Sequence, residues 1–349
     1  MLSYFLRRLI MIIPTFIAIT FVVFSIMRFV PGGPVEQAIA RYQMMSGGGE
    51  ASSGSGSGGS GSGSSQMSSE MVEKLKKIYG FDKPFYIAYA LWFKDVLMFD
   101  LGESDVYSQP VWDIIKTRFP ISLRFGITGF LLSYAVCIPL GVWKAIKHGS
   151  KFDLISSITV FIGYSIPGWV IGILLLVYFG GGSFWNVFPL GGIQSISEVY
   201  NEMGFWAKIW DNVYHMILPI TCYMLGSFAS LTVLMKNSLM ENLGSDYVRT
   251  AFAKGLNERV VIFKHALRNS LIPIATGFGQ LFSLIFAGSY LIEKVFNIHG
   301  FGMLGYTSII ARDYPVILGS LVMGSLIRLA GNIISDFLYV LIDPRIRLN

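Results

Sequence analysis

Six apolar blocks constrain this 349-residue chain more than any other feature: roughly Leu9–Val30, Ile121–Trp143, Leu154–Phe179, Val213–Met235, Leu271–Ile292 and Pro315–Ile342. A helix of about 20 apolar residues crosses a hydrocarbon core of about 30 Å, so each block is long enough to span a membrane. Charged residues make up 14% of the chain and apolar ones 53%, against about 25% charged in an average soluble domain. Pro14, Pro139, Pro167 and Pro219 fall inside the blocks; bundles of membrane helices tolerate them because neighbouring groups satisfy the freed carbonyls. The expectation is an all-α polytopic membrane protein with six transmembrane helices. Arg7 and Arg8 precede the first block as in a signal peptide, but no small-residue cleavage site precedes Pro31. The block therefore reads as a retained span.

Orientation follows from the short loops. Arg7 and Arg8, then Lys144, Lys147 and Lys151, then Lys236, Arg249, Lys254, Arg259, Lys264 and Arg268, and finally Arg345 and Arg347 all fall on one side. The other side has Lys208, Lys294 and Arg312 in its short loops. The positive-inside bias puts both termini in the cytoplasm. It also accounts for much of the net charge of +6, so nucleic acid is not required as a partner.

Between the first two spans lies a long external loop, and the chain divides as 1–30 (first span), 31–119 (loop) and 120–349 (five-helix core). Residues 46–65 are Gly or Ser except at Glu50 and Ala51, a flexible coil of about 25 Å mean span. From Ser69 onward helix formers and aromatics return, with Ser69 as an N-cap before Glu70 and Glu73. Phe85, Tyr89, Trp92 and Phe93 share a helical face. That face suits either the outer membrane interface or packing as a cap on the bundle. The loop 180–212 carries Trp185, Trp206 and Trp210; an aromatic belt and a docking surface are both open.

Catalytic signatures are missing. There is no phosphate-cradling G-x-x-x-x-G-K-[ST] loop, no G-x-S-x-G elbow and no H-E-x-x-H pair. Cys137 and Cys222 fall inside apolar blocks, where cysteine behaves as a small hydrophobe. No cofactor or metal is expected on this chain. Inside the membrane, Arg328 lies near the middle of the last span, with Asn332 and Asp336 following at i+4 steps. A midplane charge costs at least about 2.5–3.5 kcal/mol and normally faces a cavity or partner. Together with Gln280 these residues are candidates for a translocation pathway; a structural polar seam is the alternative. Gly277, Gly279, Gly163, Ser165, Pro167 and Gly168 suit close helix packing or a flexible pathway lining.

One basic stretch, Asp246–Ile274, interrupts the apolar blocks within a cytoplasmic segment 236–270. Ser245 can cap a short helix, Gly255 can supply the left-handed turn that ends it, and Asn257 can cap a second helix from Glu258. Two short helices at an angle make a knob. Tyr247, Ala251 and Phe252 offer apolar contact there, and Arg249 and Lys254 offer charge.

Several motifs in this order resemble the permease subunits of bacterial ATP-binding-cassette importers of the oligopeptide/dipeptide/nickel class. They are Leu6–Pro34, YGFDKP (Tyr79–Pro84), FDLGES (Phe99–Ser104), IPLGVWKAIKHGSKFD (Ile138–Asp153), the run Val295–Gly319, and LIDPRIR (Leu341–Arg347). The resemblance implies a type I importer permease (MetI-like) architecture with an extracytoplasmic insertion after the first helix. It makes Tyr247, Arg249, Thr250, Ala251, Phe252, Ala253, Lys254, Gly255 and Leu256 the ATPase-coupling residues. Arg249 and Thr250 depart from the general Glu-Ala-Ala pattern of that segment, while Ala251–Leu256 fits the A-x-A-K-G-L form of the peptide class. Implied partners are a second homologous permease, two ATPases that hold ATP and Mg, an extracytoplasmic peptide-binding protein and the lipid of the inner membrane. Pro31–Ala40 and the long loop look most like the microcin C/oligopeptide branch. Nickel as substrate is an alternative, and a stand-alone channel or ion-coupled carrier is a rival of another class. The second lacks the intramembrane carboxylates and broken-helix symmetry of carriers.

Overall fold

A computed structural model describes residues 2–30, 81–181, 184–276 and 290–342, with single positions 33, 36, 39, 73 and 77; side chains at 2–5 and 335–342 are outside the description. The Gly/Ser run, the Ser69 cap, Gly277, Gly279 and Gln280 lie outside the described residues. The described chain is helical, with no strand beyond two isolated bridges. Among the described residues, four helices are long and apolar enough to cross a membrane: α1 (Leu2–Phe29), α3 (Val111–Ile146), α7 (Phe205–Leu243) and α14 (Tyr314–Ile342); most of the fifth apolar block lies outside the description. Between them lie α2 (Phe85–Leu97), α4 (Lys151–Ser165), α5 (Gly168–Phe179) and α6 (Ser197–Glu202). After α7 come α8 (Asp246–Ala253), α9 (Glu258–Val260), a π-helical turn Val261–Ala266, α10 (Leu267–Ser270) and α11 (Ile272–Thr276). Then follow α12 (Tyr290–Val295) and α13 (Phe301–Ala311).

The third apolar block is not one straight span. It is α4 and α5, bent by 96°. Pro167 is the cause: its ring disfavours helical backbone at the preceding residue, and Ile166 is extended at φ −99°, ψ 124°. Pro14, Pro139 and Pro219 stay inside unbroken helices.

The chain clusters into two compact units. The first comprises Met1–Ile12, Ile115–Thr307 and Met323–Asn349. Its core has two apolar clusters along α7. One joins Val142 and Ala145 of α3 to Leu231, Met235 and Leu239 of α7, Val248 and Ala251 of α8, Val261 and Ala266 of the π turn, and Ile274. The other joins Phe125, Met216, Ile220 and Cys222 to Ile292, Phe296 and Ile298. Glycines set the helix spacing. A Cβ on Gly141 would lie 2.6 Å from Met235 Cβ, and one on Gly168 would lie 2.8 Å from Cys222 O. Packing therefore explains Gly168, where a flexible lining was the other reading.

The second unit comprises Ile13–Ile114 and Ser308–Val322. Here α2 packs on α1 through aromatic rings: Phe21 meets Phe85 and Tyr89 edge-on, Phe24 meets Trp92, and Phe16 meets Phe93. The face carried by Phe85, Tyr89, Trp92 and Phe93 is thus a packing face, and each ring is half-buried. Tyr89 also shares a hydrogen bond of 3.0 Å with Thr20. Two motifs 209 positions apart in the chain meet in this unit. Asp313, fully buried, accepts a hydrogen bond from the Ser104 hydroxyl and lies 3.4 Å from the N–H groups of Asp105 and Val106. Asp313→Ala removes that acceptor from a buried donor, and an orphaned buried donor costs about 1–3 kcal/mol. Thermal unfolding of the purified protein should shift down accordingly, with a smaller shift for Asp313→Asn.

Candidate coupling site

Helix α8 follows α7 across a single turn. Its inner face is set by helical spacing: Val248 and Ala251, three apart, turn into the core cluster under α3 and α7. Tyr247 and Phe252 are left on the outer side with Arg249 and Lys254, all exposed. Ala251 is therefore part of the core and not the outward apolar residue it was expected to be, whereas Leu256 is exposed. Thr250 and Ala253 are exposed as well. Arg249 approaches Asp246 at 3.9 Å with both side chains largely in solvent, a pair of little energetic weight.

The ends of α8 are built differently from one another. Ser245 has the extended backbone of an N-cap, but its hydroxyl donates to Asn242 O at 2.5 Å and caps no helix N–H. Asn242 is the stronger anchor, because its Oδ1 also accepts from Tyr247 OH at 2.7 Å. At the other end Gly255 adopts φ +77°. Its N–H bonds Phe252 O at 2.9 Å, and the Leu256 N–H reaches Ala251 O at 3.4 Å. These two bonds are a Schellman closure, which satisfies the last carbonyls of a helix through a left-handed residue. Asn257 then caps α9, its side chain accepting from Arg259 N–H at 3.1 Å.

The second arm of the knob is not one regular helix. A π turn occupies Val261–Ala266 between α9 and α10, with Val261 and Ala266 fully buried. Ser238 and Ser270 bind this arm to α7: the Ser238 hydroxyl donates to Ser270 O at 2.9 Å. The arm exposes Val260 and Phe263 on the same segment as Tyr247, Phe252 and Leu256. Sequence periodicity missed the π turn because one extra residue per turn leaves no compositional mark.

Of the pathway candidates, Arg328, Asn332 and Asp336 belong to α14. Arg328 and Asn332 are exposed on α14, and the backbone stays helical through Asp336. Successive i+4 steps drift by only about 40°, so the three positions form one stripe; the Asp336 side chain lies outside the description.

Two buried polar clusters of the first unit, one of them ionic, were not read from the sequence as such. Asp153 sits between Lys144 and Lys236. Glu293, buried, accepts from the Ser122 hydroxyl at 2.8 Å and from Met303 N–H at 2.6 Å. Burial raises the Glu293 carboxyl above its ordinary range, while the donors from Met303, Ser122 and Gly302 pull it back down. Ser122 in turn accepts from Phe301 N–H at 2.7 Å, so the pair caps the start of α13. The visible signal was a carboxylate beside an apolar block, but its partner lies 171 positions away.

Residues 137–348 match the family of binding-protein-dependent transport system inner membrane components. The chain is 40% identical, over 99% of its length and 98% of the relative's, to the peptidoglycan transport system permease protein YejB of Agrobacterium fabrum. It is equally similar, with the same coverage, to the inner membrane ABC transporter permease protein YejB of Escherichia coli O157:H7. To the oligopeptide transport system permease protein AppB of Bacillus subtilis it is 33% identical over 99% of both chains. With its all-α fold and membrane-length helices, the chain belongs to the binding-protein-dependent transport system inner membrane components, as a multi-pass permease subunit and not an enzyme.

Proposed function

We propose that this chain is the membrane subunit of an ATP-driven importer for peptides, and that α8 with the turn after it is where the ATPase grips. The observation that carries the second part is the two-sided α8. Its inner face is locked into the α3–α7 core, and its outer face presents Tyr247, Phe252 and Leu256 between Arg249 and Lys254. A rigid helix with an unshared outer surface can hand a force to the bundle without melting. ATP and Mg would reside on two partner ATPases, since the chain carries no phosphate loop. A second homologous permease and an extracytoplasmic peptide-binding protein complete the assembly, with both termini in the cytoplasm. Closure of the ATPases would then move the bundle as a rigid body. The stripe Arg328, Asn332 and Asp336, with Gln280, lines the route between the two permeases in this reading.

The relatives named above are described for peptidoglycan and oligopeptide transport, which favours a peptide cargo over nickel. Uptake of a radiolabelled oligopeptide and of ⁶³Ni by cells lacking or carrying the gene decides between them. Restoration of peptide uptake is expected; restoration of nickel uptake alone would overturn the peptide reading. Co-purification should recover two ATPase subunits and one further permease, and transport by the purified chain alone would favour a channel or carrier.

A further inference from the structure

At the end of the bundle that carries α8, a buried ionic cluster remains unused by the docking surface. The Lys144 ammonium, 1% exposed, donates to Asp153 O at 3.1 Å, Ser156 Oγ at 2.9 Å and Ser157 Oγ at 2.6 Å, and lies 3.4 Å from Asp153 Oδ1. Lys236 donates to both Asp153 oxygens at 2.8 Å. Gly149 N–H adds a bond of 3.2 Å to Oδ2, and His148 Nδ1 lies 3.4 Å from the same oxygen. One carboxylate on α4 thus joins the last turn of α3 to α7. Such a network adds little net stability compared with apolar packing, and its best-attested use is to fix register.

Its position says which register. The buried cluster beneath α8 draws on α3 and α7, and α4 contributes no residue to it. At its far end α4 meets the 96° bend, where Gly168 brings α5 against the α7 backbone. The cytoplasm-proximal end of α4 in the orientation proposed above is therefore held to α7 by charge where its other end is held by close packing. We propose that Asp153, clamped by Lys144 and Lys236, is a positioning residue: an ionic latch that makes α4 travel with α7 when α8 is pulled. This rests on the reading of α8 as the ATPase contact.

The test uses the full transporter in proteoliposomes with its binding protein and a radiolabelled oligopeptide, scoring peptide moved per ATP hydrolysed. Lys236→Met and Asp153→Asn are expected to lower that ratio by about fivefold or more, the lower end of ordinary coupling between sites. Lys236→Arg should restore most of it. A role in folding alone would reduce uptake and hydrolysis together with the ratio unchanged, which overturns the latch; so does an unchanged ratio at full activity. Should Asp153→Asn fail to assemble, Lys236→Met decides, because Lys144 still partners the carboxylate. A Phe252→Cys cross-link to the ATPase, tested in parallel, separates the two claims. With the cross-link present and the ratio unchanged only the latch falls; with no cross-link in an active complex the ATPase contact itself falls.

Discussion

Gly255→Val is expected to cut peptide uptake roughly tenfold while ATP hydrolysis by the assembled transporter continues. The reason is confined to the backbone. Gly255 closes α8 at φ +77°, and a Cβ there would meet nothing within 4 Å, so no clash contributes. A left-handed residue other than glycine costs about 1–2 kcal/mol, more for a β-branched one, and about 1.4 kcal/mol is a factor of ten in an equilibrium. Valine would shift the population toward an α8 whose last turn is open and whose Leu256 no longer bonds Ala251. Asparagine tolerates this conformation better, and Gly255→Asn should retain most of the uptake. Parallel measurement of hydrolysis and uptake gives the result; coupled transport at the normal rate in the valine variant would remove the closed α8 from the account.

Gly300→Ala should produce a large loss of stability in the first unit. The added Cβ would lie 2.5 Å from both Glu293 Oε1 and Ser122 Oγ. Either the serine–carboxylate bond breaks or the start of α13 moves. Overpacking alone costs about 1–3 kcal/mol, and a buried carboxyl group deprived of a hydrogen-bond partner adds a comparable amount. Thermal unfolding in lipid nanodiscs is expected to fall by several degrees. The same substitution in a Glu293→Ala background should cost much less, because neighbouring sites are non-additive. Equal costs in both backgrounds would mean that Gly300 is required for some other reason.

The parts legible from sequence were those fixed by neighbouring residues. The glycine closure at Gly255 and the cap at Asn257 obey local backbone rules, and both stand as read. Membrane-length helices followed from apolar blocks, because lipid leaves the backbone few other solutions. Pro167 marked a weak point, but the 96° angle depends on how α5 seats on α7. Ser245 was read as a cap from its residue type, yet Asn242 O competes for its hydroxyl. Ala251 fitted the sequence pattern of a contact residue, and only the placement of α8 against Val142 and Leu239 shows which way it faces. The ionic groups were the least legible. Lys144 counted as one more positive charge in a loop, and nothing local to it reveals Lys236 on the same carboxylate 83 positions after Asp153.

The most direct test of the account is a site-specific cross-link from the outer face of α8. Cys137 and Cys222, the two cysteines of the chain, are both buried, so Phe252→Cys supplies a single exposed thiol. In the reconstituted transporter a short bifunctional reagent from Cys at that position should capture an ATPase subunit, with a yield that changes when ATP binds. A transporter that hydrolyses ATP and imports peptide, yet gives no such cross-link in any nucleotide state, would contradict α8 as the point of coupling.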